Sequence, residues 1–252
     1  MTTRLTIIGS AGTHASADRV CSSYLLSHGG TNLLLDVGSG SLHNLCKVMD
    51  VADLDAILIS HMHPDHFLDL YGLQYALRFH PGNPGPIPVY APPDAFEAFI
   101  SLLPEESVQK MADLLHFRAV AAGDTLAVGS LRTELFAMNH PLECLGSRTT
   151  AGDHVVAFTG DTAPTDQITP LAQQADLFLC DATWTESQRP LPADVHCTGL
   201  EAGQAAAAAE VKRLVITHVS PYNDPQAVAK EAAKAYGGAI IVATDLMEID
   251  LS

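Results

Sequence analysis

The sequence predicts an α/β fold with sheets in the middle and helices outside. Three observations lead there. Short apolar stretches of strand length, bounded by Gly, Asp or Pro, recur along the whole chain. The last third alternates such stretches with helical ones. No repeat, linker or change of composition divides the chain, so residues 1–252 read as one domain. Hydrophobic residues make up 47% and charged residues 17%, which supplies a sizeable core.

Strands are expected at Leu5–Ile8, Cys21–Ser27, Asn32–Asp36, Ala56–Ile59, Pro88–Ala91, Leu126–Val128, Leu131–Ala137, Val155–Phe158, Leu177–Cys180, Arg213–Thr217 and Ile240–Val242. Helices are expected at Ser41–Met49, Asp65–Phe79, Asp94–Leu102, Glu105–Leu115, Gly199–Val211 and Pro225–Tyr236. The alanine run Ala205–Ala209 marks a helix packed closely on its neighbours. The Pro/Gly-rich stretch His80–Pro93 reads as a surface loop, because strand and helix signals resume on both sides of it.

Composition excludes several functions. Thirteen Lys and Arg against 29 Asp and Glu leave a net charge of −16. Such a surface repels phosphate backbones, and no basic run offsets it, so nucleic acid is a poor ligand. Apolar runs fall far short of the ~20 residues that span a bilayer, so no membrane association is expected. The N-terminus lacks the layout of a signal peptide, and a cytoplasmic protein is expected. Five cysteines, odd in number and never spaced C-x-x-C, fit reduced thiols better than disulfides or a thiolate zinc site.

Chemistry concentrates where the strand Ala56–Ile59 runs into Ser60-His61-Met62-His63-Pro64-Asp65-His66. In an extended segment alternate side chains share a side, so His61, His63 and Asp65 can project together, and Pro64 suits the first turn of a following helix. Three imidazoles and a carboxylate at the mouth of a strand can bind two metals, and zinc, manganese or iron all suit such donors. His140, Asp161 and His218 each sit just past an apolar strand, where open sheets place their ligands.

These stretches resemble the metallo-β-lactamase superfamily of binuclear metallohydrolases. The resemblance runs in family order through the Gly9–Gly12 turn, Leu35-Asp36-Val37-Gly38, His61–His66, Asn139-His140-Pro141, Thr159-Gly160-Asp161-Thr162 and Thr217-His218-Val219-Ser220. It implies a four-layer αββα sandwich with the metals on one edge of the two sheets. It also implies that His61, His63 and His140 hold one divalent ion, that Asp65, His66 and His218 hold the other, and that Asp161 bridges them. Asp36 then stands behind the metals and orients a ligand histidine. Two zinc ions are the expected cofactor, with manganese or iron as alternatives.

The second half is similar to the phosphodiesterase branch that includes ribonuclease Z. It carries Leu179-Cys180-Asp181-Ala182-Thr183 and His196-Cys197-Thr198-Gly199-Leu200-Glu201-Ala202. That likeness makes His196 a proton donor oriented by Asp181. The acid at this place is usually Glu, so the shorter Asp181 must still reach His196. Thr198 to Glu201 also fits a capping box. Ribonuclease Z proteins carry a long arm between the equivalents of His140 and Asp161; here Pro141–Gly160 leaves room for a tight β-hairpin only.

The chain therefore looks closer to arm-less members such as bacterial cyclic-nucleotide phosphodiesterases, a likeness shared by the segment Asp65–Leu73. The expected function is hydrolysis of a small-molecule phosphodiester by a metal-bridging hydroxide. Asp65 is either a ligand alone or also the holder of that hydroxide's proton. Alternatives are a tRNA 3′ endonuclease, an ester, lactone or thioester hydrolase on the same metals, and a non-catalytic metal sensor. Similar proteins commonly form a homodimer. His14 and Tyr222 stand near the pocket motifs, and Tyr222 could stack on a substrate base.

Overall fold

A computed structural model describes residues 2–251. The first sheet takes in β1 (Thr3–Gly9), β2 (Ser23–His28), β3 (Thr31–Leu35), β4 (Ala56–Leu58), β5 (Ile87–Ala91) and β6 (Leu115–Ala119). The second holds β7 (Thr125–Val128), β8 (Leu131–Ala137), β9 (Leu145–Ala151), β10 (His154–Phe158), β11 (Leu177–Asp181), β12 (Arg213–Thr217) and β13 (Ala239–Val242). The chain then returns to the first sheet as β14 (Glu248–Leu251), antiparallel to β1. The strand orders are β14-β1-β2-β3-β4-β5-β6 and β13-β12-β11-β10-β9-β8-β7.

The helices α1 (Ser41–Val48), α2 (Pro64–Phe67), α3 (Leu70–Arg78), α4 (Ala95–Ile100) and α5 (Glu105–Ala112) belong to the first sheet, and α6 (Ile168–Ala172), α7 (Gly199–Ala208) and α8 (Pro225–Ala232) to the second. Three apolar layers separate the four layers of structure. Leu5, Ile7, Leu33, Leu35, Leu135, Phe158, Leu179 and Val215 fill the space between the sheets. Leu34, Ile57 and Val89 point the other way, onto Leu70, Leu73 and Phe99 of the helices. Phe178, Leu214 and Ile216 pack on Ala202, Ala206 and Val228. Strands covered on both faces read as continuous apolar runs, which is why they stood out in the sequence. The expected αββα sandwich is the observed one.

Three expectations need correction. The helix expected over Asp65–Phe79 is two helices, because the segment after β3 docks into it. Val37 N–H donates to the His66 carbonyl at 2.7 Å, and Asp69 N–H donates to the Val37 carbonyl at 3.1 Å. Those bonds divert the Asp69 N–H and the His66 carbonyl from helical partners, while the Leu68 N–H still donates to the Pro64 carbonyl at 3.1 Å. Gly38 permits the approach, since a Cβ there would lie 2.0 Å from the Asp65 carbonyl oxygen. The helix expected over Glu105–Leu115 stops at Ala112, and Leu115 opens β6, parallel to β5. The stretch His80–Pro93 is loop only in its first half, since β5 occupies Ile87–Ala91.

Strands β6, β9 and β14 and helix α6 were not among the single elements expected, although β9 and β10 are the hairpin foreseen for Pro141–Gly160. Strand β6 lies at the sheet edge with one fully buried side chain, so its apolar pattern is faint. Helix α7 packs closely on α8, as the alanine run implied; a Cβ at Gly203 would meet the Ala232 carbonyl oxygen at 2.3 Å. All five cysteines are free thiols. No helix among the described residues is long and apolar enough to cross a membrane.

Candidate metal centre

The ends of several strands bring ten of the predicted side chains to one edge of the sandwich: Asp36, His61, His63, Asp65, His66, His140, Asp161, Asp181, His196 and His218. The turn after β4 delivers His61 and His63, and His63 holds the position just before α2, whose first turn contains Pro64 and Asp65. Proline at this position loses no helical hydrogen bond, so the motif can leave the strand and start the helix at once. His140 follows β8, Asp161 follows β10, and Asp181 ends β11. His218 follows β12 in the left-handed region (φ 55°), a conformation uncommon outside glycine. Gly12 faces it; a Cβ there would sit 2.5 Å from the His218 ring nitrogen.

The ring nitrogens converge in two groups. In the first, His61 Nε2 and His140 Nε2 lie 3.0 and 3.1 Å from His63 Nδ1. In the second, His66 Nε2 and His218 Nε2 lie 3.2 Å apart, and Asp65 Oδ2 stands 3.3 Å from His218 Nε2. Asp161 stands between the groups with its oxygens divided. Its Oδ2 is 3.6 Å from His61 Nε2, while its Oδ1 is 3.2 Å from His66 Nε2 and 3.1 Å from His218 Nε2. Asp161 Oδ1 is buried with no hydrogen-bond partner.

Hydrogen bonds behind the rings decide which nitrogens carry lone pairs. Asp36 Oδ2 accepts from His66 Nδ1 at 2.8 Å and from Ser60 Oγ at 2.9 Å. Ser60 Oγ has then donated its proton and accepts from His61 Nδ1 at 3.1 Å. The Val195 carbonyl accepts from His140 Nδ1 at 2.9 Å. Asp181 Oδ1 accepts from Thr183 Oγ1 at 2.7 Å, which leaves Thr183 to accept from His218 Nδ1 at 2.8 Å. Four imidazoles thus commit Nδ1 outward and turn Nε2 inward, beside His63 Nδ1 and two carboxylates. Only protons or cations can occupy the space between so many acceptors.

The spacing fits metal ions. Donors at the ~2.0–2.1 Å typical of zinc–nitrogen bonds, tetrahedrally arranged, lie about 3.3 Å from one another, close to the separations observed. His61, His63, His140 and Asp161 form one such set, and Asp65, His66, Asp161 and His218 another. The sequence had singled out all seven.

Electrostatics divides the two groups. Burial pushes the imidazoles of His61, His63 and His140 below their ordinary pKa, so they are neutral ligands at pH 7. Burial acts the same way on His66 and His218, but the Asp161 carboxylate outweighs it in both, helped by Asp36 at His66 and by Asp181 and Asp65 at His218. His218 is raised to about 10. Asp65 Oδ2 accepts from the Thr13 backbone N–H at 2.7 Å, and its carboxyl is held below the usual range: burial pushes it up, and the hydrogen bond and charge of His218 and the charge of His66 outweigh this.

Asp181 does reach His196: its Oδ2 accepts from His196 Nδ1 at 2.8 Å. The pair is buried and lies against the cluster, with His196 Nδ1 3.8 Å from Asp161 Oδ2. Burial would raise the Asp181 carboxyl, but the charge and hydrogen bond of His196 hold it down to about 2. Thr198 both donates the capping-box geometry to α7 and leaves His196 free for this contact. Ser60 and Thr183 were not foreseen. Their signal was position alone: Ser60 precedes His61, and Thr183 lies two residues beyond Asp181. His14 and Tyr222 touch edge to face, ring centroids 5.2 Å apart, and Tyr222 is 86% exposed.

The family description "Beta-lactamase superfamily domain" matches residues 31–219. An uncharacterized protein of Mycobacterium leprae is 35% identical over 246 residues, covering 95% of this chain and 86% of its own length. The crystal structure of the metallo-β-lactamase fold protein YhfI from Bacillus subtilis matches with a TM-score of 0.91 at 27% identity, covering 100% of each chain. A ribonuclease Z of Salinispora arenicola is 27% identical over 301 aligned positions, covering 100% of this chain and 97% of its own length. That alignment is longer than the 252 residues available here, so the ribonuclease Z carries segments this chain lacks. The chain belongs to the β-lactamase superfamily and has the metallo-β-lactamase fold.

Proposed function

We propose that the protein is a metal-dependent phosphodiesterase acting on a small phosphodiester such as a cyclic nucleotide. The buried Asp181–His196 pair carries this reading: it adjoins the seven candidate ligands, forming a third His/Asp cluster with Asp161 and His218, and its two members hydrogen-bond to each other at 2.8 Å. Expulsion of an alkoxide from phosphorus calls for a proton, which this pair is placed to supply. The similarity to a ribonuclease Z supports phosphodiester chemistry. The β9–β10 hairpin, turning at Gly152 and Asp153, and the −16 charge favour a small substrate over a polynucleotide.

Two divalent cations, zinc foremost, held by His61, His63 and His140, by Asp65, His66 and His218, and by Asp161 between them, would polarise a phosphate oxygen and lower the pKa of water. The chain's own groups do the rest. Asp65 takes a proton from the attacking water as the new oxygen–phosphorus bond forms. The bond to the alcohol breaks with its electron pair on oxygen, and that oxygen takes the proton of His196 Nε2. Asp181 keeps the imidazole oriented and balances its charge.

The test is a metal analysis paired with a substrate panel: cAMP, bis(p-nitrophenyl) phosphate, an acyl-lactone and a precursor tRNA. Diester turnover dependent on bound metal is expected. Turnover of the lactone alone would make the protein an ester hydrolase, turnover of the tRNA alone an endonuclease, and tight metal binding without turnover a sensor.

A further inference from the structure

We infer that a cavity beside His196 receives the departing alcohol, and that it accepts a neutral, hydroxyl-bearing group of nucleoside size while rejecting one with a further phosphate. The inference rests on the phosphodiesterase reading above and specifies its substrate.

The His196 side chain is 7% exposed. Its Nδ1 is committed to Asp181, and its Nε2 has no partner among the described residues. His196 lines a cavity of about 280 Å³. Other walls come from segments that carry the candidate metal ligands: Asn139 immediately precedes His140, and Pro164 lies three residues after Asp161. A phosphorus held over Asp161, with its leaving oxygen at His196 Nε2, therefore directs the alcohol toward this space. The volume lies just below the ~300–1,000 Å³ of typical ligand pockets, room for one sugar and part of a base.

Its chemistry is specific. Pro164 and Leu191 form an apolar wall against which the face of a sugar or base can lie. Arg189 is the cavity's cation, but its guanidinium is already tied to Glu186 at 2.8 Å and Glu201 at 2.6 Å. Asn139 Nδ2 already donates to Asp194 Oδ1 at 3.0 Å, and no described group donates to Asp194 Oδ2. Apart from His196, whose charge Asp181 balances, the cavity offers carboxylate acceptors without a free positive charge. Hydroxyls and amines can donate to these; a second phosphate meets like charge.

The experiment uses the metal-reconstituted protein and three diesters: bis(p-nitrophenyl) phosphate, a dinucleoside monophosphate, and the same dinucleotide with a terminal phosphate on its leaving nucleoside. The dinucleoside monophosphate should be favoured in kcat/KM by about tenfold or more, since like-charge contacts of this kind are costly. Asp194→Asn keeps the shape and suits the left-handed backbone there (φ 59°); it should shrink that ratio severalfold. Ala193→Lys, on the exposed part of the same loop, should bring it to one or invert it. A wild-type ratio near one, with bis(p-nitrophenyl) phosphate still hydrolysed, overturns the inference and leaves the phosphodiesterase standing. A ratio that neither variant moves also overturns it. Absence of hydrolysis of all three diesters is failure of the proposed function itself.

Discussion

The two groups of histidines are built from the same chemistry, and their surroundings shift their pKa values in opposite directions. His61, His63 and His140 face one carboxylate oxygen at a distance, 3.6 Å from His61, and burial strips them of protons. His66 and His218 each lie within 3.2 Å of Asp161 Oδ1 and are backed by Asp36 and Asp181, and these charges overcome equal or greater burial. The lesson is that ligand type does not set a site's charge; the carboxylates behind the rings do. The first group accepts a cation without competition. The second must exchange protons for it.

The severest way to break this comparison is Asp161→Ala, which removes the carboxylate that serves both groups, one oxygen to each. Both groups should lose metal, and activity should fall by about 10³-fold or more, since the metals are asked for several kcal/mol of transition-state stabilisation. Full metal occupancy in that variant, measured by elemental analysis, would remove Asp161 from the bridging position. His196→Ala should do something different: retain both metals and lose ~10²–10⁴ in kcat on a nucleotide diester. Bis(p-nitrophenyl) phosphate, whose leaving group needs little protonation, should suffer less. Equal losses on the two substrates would make His196 a binding residue.

A smaller and asymmetric effect is expected from the groups behind the rings. Asp36→Asn and Thr183→Val should each weaken metal binding ~10–100-fold, and chiefly at the His66/His218 group. Asp36 also holds Ser60, so its effect should extend to His61; Thr183→Val should spare the first group altogether. Titration of the purified protein with zinc at several pH values gives the mildest test. Because His66 and His218 are held above 6.5, metal uptake there displaces protons at neutral pH. Affinity of the second group should fall as pH drops, about tenfold per unit for each proton displaced. The first group, with imidazoles lowered below 6.5, should change little between pH 8 and 7. Identical pH slopes at the two sites would dissolve the distinction drawn here.

Much of the molecule was legible before folding. The strands that hold the sheets together carry apolar side chains on both faces, so β1, β3, β11 and β12 announced themselves as runs. The seven candidate ligands stood out because each follows such a run. What stayed hidden was faint for physical reasons. Edge strand β6 buries little, and β14 alternates acids with Ile249 and Leu251, so neither builds an apolar stretch. The break between α2 and α3 comes from Val37 and Gly38, some thirty positions earlier in the chain, and no local signal reports it.

Local patterns along the chain determined the layering and the identity of the donor atoms, because periodicity and ligand chemistry are properties of neighbouring residues. Only the folded arrangement decided which nitrogen of each ring faces inward, how Asp161 divides its oxygens, and that a one-carbon-shorter acid at 181 still meets His196. Those outcomes depend on distances of a few tenths of an ångström between segments far apart in sequence, and such distances are set by packing rather than by composition.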